Sequence, residues 1–257
     1  MATLEQTNTG PAASQNSLEA ARQRLIVALD VPDASAAADL IDKLEGQCRW
    51  FKVGLELFTA AGPSVVEPIL RRDLRVFLDL KLHDIPNTVG GAVRSASALG
   101  VHRLTVHAAG GPAMLAAARA ALEGISDPPE LLAVTVLTSM DAAQLHAAGV
   151  DRAPVDQVEL LARLALAAGI RGFVCSPQEV SRVRAIAGSE GILVVPGIRP
   201  AGSESADQRR IATPAEALRQ GATSLVVGRP ITHAAHPARV AETILQEMAG
   251  ALAAQQT

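Results

Sequence analysis

The sequence predicts an α/β chain folded as a single-domain (β/α)8 TIM barrel, and three observations carry that prediction. Eight short runs rich in Val, Ile and Leu alternate with Ala-rich stretches whose apolar residues recur at helical spacing, the pattern of parallel strands joined by helices. The 257 residues suit a fold that routinely takes about 200–250 residues as one unit. Several runs close on charged, hydroxyl or glycine residues, and barrels of this class carry their chemistry at the strand ends. An open doubly wound sheet is the alternative that the same alternation allows.

The segment from Met1 to Glu19 is polar and lacks the basic start and apolar run of a signal peptide, so residues 1–19 read as a disordered tail and 20–257 as the barrel. The expected strands are Arg24 to Asp30, Trp50 to Gly54, Arg75 to Lys81, Arg103 to Ala108, Leu131 to Thr138, Gly172 to Ser176, Ile192 to Ile198 and Ser224 to Arg229. Between them Asp33 is placed to cap a helix over Ala34 to Leu44, and Asn87 one over Thr88 to Leu99 that Gly100 would end. A last helix runs from Pro237 to Met248. The stretch Arg199 to Thr213 is too polar for either element and reads as a long loop after the seventh strand, either a functional lid or a disordered insertion.

Composition excludes several classes. With 23 basic and 26 acidic residues the net charge is −3, which offers no basic stripe for nucleic acid. No apolar run approaches the ~20 residues that span a bilayer. Cys48 and Cys175 are the only cysteines and lie far apart, so neither a disulfide framework nor a zinc ribbon is indicated, and a reducing cytoplasm fits.

Candidate chemistry gathers at the strand ends: Asp30 ends the first, Lys52 lies in the second, Asp79 and Lys81 end the third with Asp84 following, and Thr138 and Ser139 end the fifth. Asp79 and Lys81 are two apart, so on a strand both project to the same face, within reach of Lys52 on the neighbouring strand. Lys43, Lys52 and Lys81 are the only lysines, all other cations being arginine. Lysine retained at two strand ends suggests proton donation, which a permanently charged guanidinium cannot supply. Lys52, Asp79, Lys81 and Asp84 are expected to form one alternating charged network, either pre-oriented for electrostatic catalysis or purely structural. Arg199 and Arg229, after strands seven and eight, are placed to clamp a phosphate, with Gln208 as a further donor.

Other chemistries find less support. The six histidines show no H-x-H or H-E-x-x-H grouping, so no histidine-built metal site is expected, and His107 is expected to line the barrel. Cys175, in an apolar run, reads as structural, and no glycine fingerprint for a nucleotide cofactor follows a strand.

At these residues the sequence resembles the orotidine 5′-phosphate decarboxylases of the bacterial stand-alone type. The resemblance runs from about Leu25 to the last helix. It rests on ALD ending at Asp30, FKVGLELF at Phe51 to Phe58, DLKLHDIPNTV at Asp79 to Val89 and LTS at Leu137 to Ser139. It continues through PGIRP at Pro196 to Pro200, DQRRI at Asp207 to Ile211 and GRPIT at Gly228 to Thr232.

The resemblance implies conversion of orotidine 5′-monophosphate to uridine 5′-monophosphate and carbon dioxide, in pyrimidine biosynthesis, with no cofactor and no metal. It makes Lys81 the proton donor, sets Asp79 beside the substrate carboxylate, and gives Lys52 and Asp30 to the ribose. Thr138, Ser139 and Pro196 become contacts to base or ribose, and Arg199, Gln208, Gly228 and Arg229 contacts to phosphate. It further implies a cytoplasmic homodimer with shared active sites, Asp84 and Thr88 serving the partner's. The chain departs from some relatives in having no tyrosine at all, so the lid tyrosine they set on the phosphate has no counterpart. The D-x-K-x-x-D pattern at Asp79, Lys81 and Asp84 is shared with magnesium-dependent sugar-phosphate decarboxylases and hexulose-phosphate synthases, which the HDIPNT and GRPIT strings disfavour. A catalytically silent nucleotide-binding barrel is a third possibility, one in which loss of Asp79 or Lys81 would be expected.

Overall fold

A computed structural model describes residues 15–200 and 211–255. The chain opens with helix α1 (Gln15–Arg22), then β1 (Leu25–Ala28), α2 (Ala34–Lys43), β2 (Trp50–Gly54), α3 (Leu55–Ala61), α4 (Val66–Leu70), β3 (Arg75–Leu82) and α5 (Pro86–Ser97). It continues through β4 (Arg103–His107), α6 (Gly111–Ala120), β5 (Glu130–Val134), α7 (Ala142–Ala147), α8 (Pro154–Ala167), β6 (Gly172–Val174) and α9 (Val180–Ala187). The last elements are β7 (Ile192–Val195), α10 (Pro214–Arg219), β8 (Ser224–Val227), α11 (Arg229–Thr232) and α12 (Pro237–Ala254). The eight strands are parallel and close in sequence order, β8 pairing with β1, which establishes the barrel over the open sheet.

Strand alternation sorts the side chains into two populations. Leu25, Val27, Phe51, Val53, Val76, Leu78, Leu104 and Val106 face outward into the layer shared with the helices. The opposite parity, Ile26, Ala28, Trp50, Phe77, Leu132, Val194 and Val226, fills the barrel interior as a separate cluster. The next inward positions above that cluster carry charge, because β2 and β3 run on through Lys52, Asp79 and Lys81.

Several expectations need correction. Helix α1 begins at Gln15, inside the stretch read as a tail; it buries Ser17 and Ala21 and packs against α12, which gives that short polar segment something to fold against, with an exposed pair from Glu19 to Arg49 at 3.0 Å at its edge. Residues 1–14 lie outside the described residues. Helix α5 is entered through Ile85 and Pro86, with no side-chain cap, so Asn87 lies within the first turn; proline's fixed φ makes it a good first helical residue. Gly100 does take the left-handed conformation, φ 75°, and Asp33 caps α2 as expected by accepting from the Ala36 N–H. β5 stops at Val134, which leaves Thr138 and Ser139 in a turn, and α12 runs on past Met248 to Ala254. No helix among the described residues is long and apolar enough to cross a membrane.

Candidate active site

β3 supplies the centre of the site. Its pairing with β4 shifts register between Leu78 and Leu82, and within that irregularity Lys81 adopts a left-handed backbone, φ 50°. Such a conformation costs a non-glycine residue on the order of 1–3 kcal/mol and persists where surrounding structure enforces it. The irregularity re-aims the side chain. Lys81 Nζ donates to both Asp79 oxygens at 2.9 Å.

Lys52 joins from β2. The register sets Gly54 opposite Asp79, so Lys52 stands one inward position lower and its side chain rises along the barrel wall. Its Nζ donates to Asp30 Oδ1 at 2.9 Å and lies 3.6 Å from Asp79 Oδ2. Gly54 makes room for it, since a Cβ there would fall 2.8 Å from that nitrogen. Lys52 and Asp79 are both 9% exposed, so the pair is largely removed from water while the Asp30 and Lys81 side chains face the opening.

Asp84 does not join this network. The chain leaves the sheet after Leu82, and Asp84 is exposed, its Oδ1 accepting from the adjacent Ile85 N–H; no ion pair among the described residues reaches it. Thr88 is exposed on the same rim, as is Ile85, at 66%.

Two connected hollows open above the network. One, of about 190 Å³, is lined by Phe77, Val134, Val136, Leu137, Thr138 and Val174 with Lys81 and Asp79 at its floor. The other, of about 490 Å³, is lined by Asp30, Glu56, Gly197, Arg199, Gly228, Arg229 and His233. Lys52, Pro196 and Val226 line both. Ser139 follows Thr138 on the exposed outer side of the turn, outside either lining. Arg199 is buried, and its pKa is lowered first by that burial and then by the neighbouring Arg229 charge. Two guanidinium groups converging on one wall favour an anion between them. Gln208 lies outside the described residues, but the two ends of its loop are fixed: Ile198 bridges to Ala212, and the Arg199 N–H donates to Ala212 O at 3.0 Å.

The sequence reading did not single out Glu56, His233 or Thr105. Thr105 on β4 shares the inward parity of the expected His107, and its buried hydroxyl accepts from the Lys81 N–H at 2.8 Å and donates to Asp79 Oδ1 at 3.1 Å. His107 stacks on His83, ring centroids 5.3 Å apart, and its Nδ1 accepts from the Ala109 N–H at 3.2 Å. Burial, with help from the His83 and Lys81 charges, lowers its pKa to about 4 and keeps the ring neutral near pH 7. Both cysteines are buried, and burial raises the Cys48 pKa to about 12, so that thiol is closed to chemistry. Among the described residues no three His, Cys, Asp or Glu side chains converge as a metal site.

A buried carboxylate flanked by two ammonium groups, with an apolar hollow on one side and two arginines on the other, suits a ligand that carries an apolar part and a distant anion. Comparison with known proteins points the same way. The family model for Orotidine 5′-phosphate decarboxylase / HUMPS matches residues 23–244. The orotidine 5′-phosphate decarboxylase of Moorella thermoacetica is 52% identical over 234 residues, covering 89% of this chain and 93% of that protein. That of Vibrio cholerae is 50% identical over 230 residues, covering 89% and 98%. The crystal structure of the enzyme from Lactobacillus acidophilus superposes with a TM-score of 0.76 at 38% identity, covering 88% of this chain and 98% of that one. On motif, barrel and sequence alike, this chain belongs to the orotidine 5′-phosphate decarboxylase / HUMPS family.

Proposed function

We propose that this protein decarboxylates orotidine 5′-monophosphate to uridine 5′-monophosphate in pyrimidine biosynthesis, as a carbon–carbon lyase needing neither metal nor organic cofactor. The observation that carries the reading is the Lys81 ammonium, bonded to both oxygens of Asp79 at the floor of the apolar hollow. The pyrimidine ring fills that hollow against Thr138 and Pro196. The ribose lies over Asp30 and Lys52, and the phosphate reaches Arg199, Gln208, Gly228 and Arg229.

In this pose the Asp79 carboxylate stands beside the substrate's own carboxylate, and two like charges held together favour departure of one. The bond from ring carbon to carboxylate breaks, carbon dioxide leaves, and the electron pair left on the carbon takes a proton from Lys81 Nζ. Solvent then reprotonates the lysine. The arrangement is set before substrate arrives, so little reorganisation accompanies charge development. Expelling carbon dioxide without an electron sink calls for a barrier reduction toward the upper end, about 23 kcal/mol, of the common enzymatic range. Binding energy from the remote phosphate serves that end.

The protein reads as a cytoplasmic homodimer, and the exposed Asp84, Ile85 and Thr88 rim fits an interface in which Asp84 and Thr88 complete the partner's site. The function is tested by following orotidine 5′-monophosphate with the purified protein in EDTA. Stoichiometric uridine 5′-monophosphate and carbon dioxide are expected, undiminished by the chelator. Activity lost in EDTA and restored by magnesium would move the chain to the sugar-phosphate branch.

A further inference from the structure

We infer that Thr105 is a positioning residue for the proton donor: its single hydroxyl fixes the backbone of Lys81 and the carboxylate of Asp79 at once. The inference rests on the decarboxylase reading only for its kinetic consequence. Where β3 loses register with β4, the Lys81 N–H leaves the ladder, and in its left-handed conformation it donates instead to Thr105 Oγ1 at 2.8 Å. The same hydroxyl donates a hydrogen bond to Asp79 Oδ1 at 3.1 Å. A hydroxyl has one proton to give and lone pairs to accept with, so these two bonds orient each other. Thr105 is fully buried, so water cannot replace either bond.

Thr135, equally buried just past the end of β5, shows the contrast: its hydroxyl donates to the Val174 carbonyl, a bond to the main chain alone. Thr105 donates its hydrogen bond to the buried carboxylate whose two oxygens both accept from Lys81. The hydroxyl thereby closes a ring that runs from the Lys81 backbone through Thr105 and Asp79 to the Lys81 ammonium. Removing it frees the backbone that aims the donor and takes one donor from the carboxylate, while leaving the phosphate and ribose contacts in place.

The test compares Thr105→Val, which keeps shape and loses the hydroxyl, with Thr105→Ser, which keeps the hydroxyl. In Thr105→Val, kcat for orotidine 5′-monophosphate is expected to fall about 10- to 100-fold with KM within about twofold of wild type. Thr105→Ser restores most of kcat. Hydrogen exchange at the Lys81 amide reads the same bond without turnover and speeds up in the valine variant alone. Should Thr105→Val not fold, Thr105→Ala carries the same comparison. The inference is overturned if kcat in the hydroxyl-free variant stays near wild type, if serine fails as badly as valine, or if Lys81 amide protection is unchanged. Wild-type protein that does not turn over the substrate would instead overturn the decarboxylase reading, and the exchange measurement alone would then judge Thr105.

Discussion

The two ends of the barrel both bury charge, and they do so in opposite ways. At the N-terminal end of the strands Arg103 is 7% exposed and held by three partners: Nε donates to Glu130 at 2.7 Å, Nη1 donates to Ser224 on β8 at 2.9 Å, and the guanidinium lies 4.2 Å from the Trp50 ring centroid. Nearby, Arg184 caps the carbonyls of Gly188, Gly191 and Gly221. These arginines are cross-links whose planar forks fit several fixed acceptors. At the C-terminal end Lys52 is shared between Asp30 and Asp79, and Lys81 gives its bonds to one carboxylate while facing an open hollow. The difference separates the cations by what surrounds them: guanidinium groups tie strands together at the N-terminal end, whereas the two ammonium groups flank a carboxylate beside an open hollow, where on the proposed reading Lys81 supplies the proton.

If that division is right, damage at the two ends should separate cleanly. The largest effect is expected from Lys81→Ala, which lowers kcat by about 10⁴-fold or more and leaves thermal stability nearly unchanged; Lys81→Arg should fail too, being a poor acid. A rate assay beside a melting curve checks both, and an active arginine variant would show that charge alone suffices. Arg103→Ala should do the reverse. Stranding Glu130 and Ser224 is expected to cost about 3 kcal/mol, lowering Tm by roughly 6–12 °C, with turnover per folded molecule preserved. A drop in kcat at full occupancy of the folded state would join the two ends that the comparison separates.

A smaller effect sharpens the contrast further. Each end holds one histidine whose Nδ1 accepts a backbone N–H, His107 from Ala109 and His102 from Val76, and burial lowers the pKa of both. For His107 the folded value is about 4 against an ordinary 6.5, so the unfolded chain binds the proton more readily between them. Its contribution to stability is full above pH 6.5 and is lost as pH falls toward 4. Urea titrations across that window should show a decline that His107→Gln flattens more than His102→Gln. Equal flattening would mean that the two ends respond to acid alike.

How much of this was legible beforehand follows from what period and composition can encode. The alternation along β3 placed Asp79 and Lys81 on one face, and lysine scarcity marked Lys52 and Lys81, because both signals are local. Arg199 and Arg229 were legible from their places after strands seven and eight, and the structure sets both on one wall. Asp84 was misplaced in the network because spacing says nothing of where the chain turns out of the sheet, which here is after Leu82. Thr105 was invisible because its role depends on a register shift between two strands, a property of neither sequence alone. The fold at Gln15–Arg22 was missed because its support, helix α12, lies at the far end of the chain.

Gly54 carries a consequence for anyone transplanting this site. A methyl group there would sit 2.8 Å from the Lys52 nitrogen and 3.5 Å from Asp30 Oδ1, and the flexible lysine would be the part that yields. Grafting Asp30, Lys52, Asp79 and Lys81 onto another barrel would thus reproduce the charges without their spacing unless the blank position came with them. The template for such a design therefore includes, beside the charges and the groups that hold them, one position that is specified by having nothing in it.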